Sequence, residues 1–154
     1  MVVPVTVFGP KGHIKTFALL DNGATVLLIS TLVADSVGLH GNSETLRVRS
    51  AWCSGQLVCQ SETVNFTVSG ANNETFNIRA RKIDSLDLPV QKLWNITVDR
   101  YKHLRKFQDC LLLDNVKPEV LIGQDHLLAP IETISEGKHG PYLTPTLLGW
   151  CDMA

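Results

Sequence analysis

The chain has 154 residues, of which 44% are hydrophobic, which is enough to bury one core and most simply forms a single domain over residues 1–154. Fourteen basic residues against fifteen acidic ones leave a formal net charge of -1. This balance argues against nucleic acid or an anionic membrane as a partner. No apolar stretch approaches the roughly 18 residues of a membrane span, and we expect no signal peptide.

The cysteines predict a reducing, cytoplasmic environment. They form no C-x-x-C pair and no zinc-like spacing with histidine, so we expect free, mostly buried thiols and neither a metal site nor a cofactor. The four are Cys53, Cys59, Cys110 and Cys151.

The first third of the chain predicts strands followed by a short helix. Apolar residues crowd or alternate in three strand-like runs, at residues 2–8, 13–20 and 25–29. Ser30 and Thr31 then offer a helix N-cap for residues 32–37, and Gly38 offers the stop.

The middle of the chain predicts repeated strands and turns. Polar and apolar residues alternate in three further runs, at residues 45–49, 64–68 and 75–80. Residues 83–115 are the least periodic part and are a candidate insertion, with a short helix expected within residues 94–111.

The tail predicts a short buried strand at residues 119–123, a helical turn at residues 124–129, and a last strand at residues 142–150. Pro145 assigns this last strand to a sheet edge. The pattern as a whole predicts a mostly β fold with one or two short helices.

Asp21 is the single acidic residue between two apolar runs, so an apolar wall should raise the cost of its charge. One interpretation is structural, because Asn22-Gly23 is a strong hairpin signal and an aspartate before it often bonds the turn backbone. The other interpretation is that the carboxylate has a chemical role.

Two motifs of the chain resemble the paired signature of retropepsin-type aspartic proteases. An apolar strand runs into Asp21-Asn22-Gly23-Ala24, and a second runs into Leu121-Ile122-Gly123-Gln124-Asp125 ahead of a short helix. The tail at residues 140–150 is similar to the peptidase domain of Pao/Bel-type LTR retrotransposons. The resemblance implies a retropepsin-like closed β-barrel with one lobe per chain, here excised from a longer polyprotein.

The resemblance also assigns roles to residues. Asp21 would be the catalytic aspartate, and the active-site loop would comprise Asn22, Gly23 and Ala24. The flap that closes over substrate would comprise Ala51, Trp52, Cys53, Ser54 and Gly55. The site would be supported from behind by Leu121, Ile122, Gly123 and Asp125.

Hydrolysis by carboxylates needs two aspartates that share one proton, and this chain has one D-[S/T/N]-G sequence. The mechanism therefore implies a homodimer in which Asp21 meets its symmetry mate. The implied activity is that of an aspartic endopeptidase which processes a retroelement polyprotein, with a polypeptide as its substrate.

Three departures from the family pattern leave other functions open. Asn22 stands where the family has serine or threonine, Gln124 stands where many relatives have arginine, and the flap region has a single glycine. One alternative is a catalytically weak or inactive module of the same fold that dimerises or binds peptide. A more distant one is an unrelated β-barrel interaction domain in which Asn22-Gly23 is only a hairpin turn.

Overall fold

The structure is a computed structural model that describes residues 2–21, 23–49, 56–93, 100–106, 108, 113–123, 134–135 and 142–153. The strands are β1 Val2–Gly9, β2 Gly12–Asp21, β3 Leu28–Ser30, β4 Asn42–Arg49, β5 Gln56–Ser69, β6 Thr75–Ile83, β7 Gln91–Leu93, β8 Leu113–Val116, β9 Val120–Gly123, β10 Ile134–Ser135, β11 Tyr142–Thr146 and β12 Gly149–Met153. The helices are α1 Thr31–Ser36 and α2 Lys102–Arg105.

Six strands close into a barrel. They are hydrogen-bonded in the order β1-β2-β9-β3-β6-β5, and the ring closes because β1 also pairs with β5, from Thr6 opposite Ser69 to Phe8 opposite Thr67. Strand β4 pairs with the first half of β5 and extends the sheet beyond the ring. The predicted mostly β class with short helices is therefore confirmed, and the barrel is closed.

The interior of the barrel is filled by the alternate residues that the sequence pattern predicts. Every second residue of β1 is buried, as are those of β5 beyond Thr63, because successive side chains of a strand point to opposite faces. The buried residues of these two strands are Val3, Val5, Val7, Val64, Phe66 and Val68.

Helix α1 has the N-cap residue and the glycine stop that the sequence predicts. The Ser30 hydroxyl accepts a hydrogen bond from the backbone N–H of Val33 at 3.3 Å, which is the N-cap arrangement. Gly38 has a φ of +74°, the left-handed conformation that ends many helices. The helix spans residues 31–36 rather than 32–37, a shift of one residue.

Several predicted strands have different bounds in the structure, and β3 and β5 are two of them. Strand β3 starts at Leu28 rather than at Thr25, because Thr25 and Val26 belong to the loop that leaves β2. Strand β5 runs over residues 56–69 rather than 64–68. The first half of β5 carries polar side chains, so the sequence pattern does not predict it as a strand. This first half nevertheless pairs along its whole length with β4.

The prediction of one strand over residues 142–150 is wrong, because this segment is a hairpin of β11 and β12. The turn lies at Leu147 and Leu148, with Pro145 opposite Trp150. The Thr146 hydroxyl accepts from the N–H of Leu148 at 3.3 Å and donates to the carbonyl of Gly149 at 2.7 Å. Leu148 is fully buried in the core, so the turn itself anchors the hairpin to the barrel.

The candidate insertion at residues 83–115 contains part of a small two-stranded sheet. Strand β7 pairs with β8, from Gln91 opposite Val116 to Leu93 opposite Leu113. Between them α2 contributes Leu104, which is fully buried. The short helix predicted within residues 94–111 is therefore present at residues 102–105. The helical turn predicted at residues 124–129 lies outside the described residues.

Candidate functional site

The candidate site lies where two parallel strands end side by side. Strands β2 and β9 pair in parallel from Ala18 opposite Val120 to Asp21 opposite Gly123. On its other edge β9 pairs antiparallel with β3, where Leu121 lies opposite Leu28. Strand β9 therefore separates β2 from β3, and it brings Gly123 to Asp21 from a distant part of the sequence.

The loop after β2 fixes the Asp21 carboxylate. Its Oδ1 accepts a hydrogen bond from the N–H of Gly23 at 2.8 Å, and its backbone carbonyl accepts one from the N–H of Ala24 at 3.2 Å. The aspartate therefore bonds the turn backbone, as the structural interpretation predicts. The predicted hairpin between the two apolar runs is wrong, because β9 lies between β2 and β3 in the sheet.

The carboxylate of Asp21 is exposed in the single chain. The expectation of an apolar wall around it is therefore wrong for the chain as the structure describes it. The apolar run before it turns inward instead: Leu20 is buried in the core, while Asp21, the last residue of β2, is exposed. One carboxylate oxygen is held by the loop, and the group faces outward.

Gly123 lies directly against the loop that follows β2. A Cβ built on this glycine would lie well inside van der Waals contact of the backbone carbonyl oxygen of Ala24. Behind it Ile122 is fully buried, and Leu121 is half-buried. Gly123 is thus next to the loop that the three residues are predicted to support, and the supporting role itself stays a prediction.

Several predicted site residues lie outside the described residues. They are Asn22, Asp125 and the five flap residues Ala51, Trp52, Cys53, Ser54 and Gly55. The strands that flank the predicted flap are described, and they pair up to Arg49 opposite Gln56. The chain between these two residues therefore joins the ends of a β4–β5 hairpin.

A buried lysine joins three elements of the barrel. Lys82 is 8% exposed, and its Nζ donates to Asp35 of α1 at 2.7 Å and to Glu62 of β5 at 3.2 Å. The other carboxylate oxygen of Glu62 accepts from the N–H of Gly41 at 2.9 Å. The sequence analysis missed this cluster. The missed signal is that Lys82 continues the buried positions Ile78 and Ala80 of β6.

The charges of this cluster stabilise one another. The hydrogen bond from Lys82 lowers the pKa of Asp35. The N–H of Gly41, and then Lys82, lower the pKa of Glu62. Burial works against the charge of Lys82, but its hydrogen bonds to the two carboxylates outweigh burial and raise its pKa. All three groups are therefore more firmly charged in the folded state than in the unfolded chain.

We expect this cluster to make the free energy of unfolding depend on acid pH. Carboxylates with lowered pKa values contribute stability that is present above their unfolded values and is lost as the pH falls below about 4. The raised pKa of Lys82 costs stability only in strong alkali. Urea unfolding from pH 7 to pH 3 should show a steep acid decline that is shallower in Lys82→Met.

Lys15→Met is the matched control, because Lys15 is an exposed lysine of β2 outside the cluster. It should keep the steep decline. Equal slopes in Lys82→Met and the unchanged protein would contradict the assignment of acid sensitivity to this cluster.

A groove of about 740 Å³ lies over this cluster rather than at Asp21. Its described walls include Lys82, Glu62, Asp35 and Cys59, and they include no residue of the loop at residues 21–24. The lysine and both carboxylates of the cluster already satisfy one another. The groove therefore carries no free charge of that cluster for chemistry.

No family model, no curated protein and no solved structure matches the chain. The fold and the site define a closed six-stranded β-barrel with an exposed aspartate where two parallel strands end. In the described ranges no helix is long and apolar enough to cross a membrane. The same ranges contain no group of three or more histidine, cysteine or acidic side chains placed to hold a metal ion.

Proposed function

We propose that this protein is a retropepsin-like aspartic endopeptidase that acts as a homodimer and processes a retroelement polyprotein. The observation that carries the proposal is the placement of Asp21. Its carboxylate is exposed at the end of β2, oriented by the N–H of Gly23, in a loop that rests on Gly123 of β9. A residue that only terminated a hairpin would not need this separate strand beneath it.

The chemistry requires a second carboxylate. Two aspartates at contact distance share one proton, so that one acts as general base on water while the other protonates the carbonyl oxygen of the peptide. Their two apparent pKa values belong to the pair and not to either residue. The exposure of Asp21 leaves its free carboxylate face open to the same residue of a second chain.

Two-fold symmetry would supply that second carboxylate without a second aspartate motif in the chain. In an isologous dimer, a residue near the axis meets its own copy. Asp21 is the residue that would lie at the axis, and the loop at residues 21–24 would form the floor of a cleft between the subunits. The paired strands β4 and β5 would carry the flap over an extended peptide.

The experiment is to incubate the protein with a library of unstructured peptides from about pH 4 to pH 7, with and without pepstatin, and to identify cleavage products by mass spectrometry. We expect endopeptidase products that pepstatin suppresses, and a dimer in analytical ultracentrifugation. Cleavage by a monomer, or cleavage indifferent to pepstatin, would contradict the proposal. A dimer that binds peptides without cutting them would instead establish the inactive peptide-binding module.

A further inference from the structure

A second groove, of about 260 Å³, begins at the loop that carries Asp21. Its lining includes Thr25 and Val26, together with Arg79 and Arg81 of β6. The loop is tied to β6 at this point, because the N–H of Arg81 donates to the carbonyl of Leu27 at 2.9 Å. The lining of the groove therefore includes the residues that directly follow the loop at residues 21–24 in the chain.

Arg81 is fully engaged within the protein. Its guanidinium donates to the Glu44 carboxylate at 2.9 Å, to the backbone carbonyl of Glu44 at 2.8 Å, and to the hydroxyl of Ser61 at 3.4 Å. Only 17% of its side chain is exposed. Arg81 thus serves to join β4, β5 and β6, and its charge is balanced by Glu44.

Arg79 lies two residues earlier on the same face of β6 and differs from Arg81 in both respects. It is exposed, and its side chain makes no ion pair or hydrogen bond with the residues that the structure describes. Because Glu44 is already occupied by Arg81, the two arginines and one glutamate of the groove leave one positive charge. That charge is the guanidinium of Arg79.

We propose that Arg79 is a specificity-determining residue that binds an aspartate or glutamate side chain of the substrate, some residues away from the scissile bond. This inference rests on the proposed function. A guanidinium offers a planar pair of donors that matches a carboxylate, and such charge-assisted hydrogen bonds are stronger than neutral ones. A peptide lying extended across the loop presents every second side chain to the same wall, so one acidic position would meet Arg79.

The test compares peptides that differ only by a carboxylate or its amide at each position around the cleaved bond. At one position the acidic peptide should have a kcat/KM about tenfold higher than the amide. Arg79→Glu should abolish this preference and favour lysine at the same position. Circular dichroism should show that the exposed substitution leaves the fold intact.

Lys15→Glu is the matched control, because it makes the same change in net charge at an exposed site. Lys15 lies on β2 about 20 Å of extended chain before Asp21. It should leave the acidic preference unchanged. An acidic preference that survives Arg79→Glu would overturn the proposal, as would a loss of preference that Lys15→Glu reproduces.

A binding measurement separates this inference from the proposed function. Fluorescence anisotropy of the same labelled peptides with Asp21→Asn, and with Asp21→Asn combined with Arg79→Glu, needs no catalysis. Tighter binding of the acidic peptide that disappears with Arg79→Glu supports the Arg79 subsite even if the unchanged protein cuts nothing. Equal binding of acidic and amide peptides overturns the subsite even if Asp21-dependent cleavage is found.

Discussion

Asp21→Asn is expected to lower kcat/KM for peptide cleavage by at least about a thousandfold, because the variant has no carboxylate to exchange a proton with water. The asparagine side chain has the same shape, and its Oδ1 can still accept the 2.8 Å hydrogen bond from the N–H of Gly23. The loop, the barrel and the dimer should therefore be retained. Peptide cleavage assays measure the loss of activity, circular dichroism measures the fold, and analytical ultracentrifugation measures the dimer.

Asp84→Asn provides the control for this substitution. Asp84 is also an exposed aspartate, it accepts only a long 3.4 Å hydrogen bond from Thr31, and it lies outside the loop at residues 21–24. Its amide variant should cleave peptides at the unchanged rate. Activity of Asp21→Asn within about tenfold of the unchanged protein would remove Asp21 from the chemistry.

Gly123→Ala is expected to damage both stability and activity. Its Cβ would overlap the carbonyl oxygen of Ala24, a backbone atom that cannot rotate away, so the loop must move. Overpacking of this kind typically costs about 1–3 kcal/mol in the free energy of unfolding. Since Gly123 lies opposite Asp21 in the β2–β9 ladder, moving the loop should also displace Asp21, and the variant should lose cleavage activity. Urea unfolding and peptide cleavage test the two effects.

Gly9→Ala separates the two effects. A Cβ at Gly9 would overlap the carbonyl oxygen of Val37, so a comparable loss of stability is expected. Gly9 pairs with Gly12 at the far end of β2, about 30 Å of extended chain from Asp21. The folded Gly9→Ala protein should therefore keep its activity. Full activity in Gly123→Ala would show that the contact with Ala24 does not position the site.

Local sequence patterns predicted much of the fold, because strand alternation and helix capping are decided by residues close together in the chain. The alternation in residues 2–8 and the N-cap at Ser30 depend only on neighbouring residues, and both are present in the structure. The 142–150 hairpin was missed for a related reason. Its two turn residues, Leu147 and the buried Leu148, are apolar and continue the strand-like pattern, and the glycine that closes the turn, Gly149 with a φ of +135°, follows them.

The order of strands could not be predicted from such patterns. Strand β9 lies between β2 and β3, and nothing in residues 17–29 specifies a partner that is distant in the sequence. Pairing of this kind is decided by the packing of the whole barrel. The Lys82 cluster and the groove of Arg79 escaped prediction for the same reason, since each joins residues of separate elements.

Mixing the unchanged protein with Asp21→Asn tests the shared dyad most directly. Equal amounts are refolded together so that subunits exchange at random, and peptide cleavage is measured against the total protein. If both subunits contribute their Asp21 to one site, only unchanged homodimers cut, and about a quarter of the activity remains. About half of the activity remaining would mean that each chain works alone, which would contradict the proposed two-chain site.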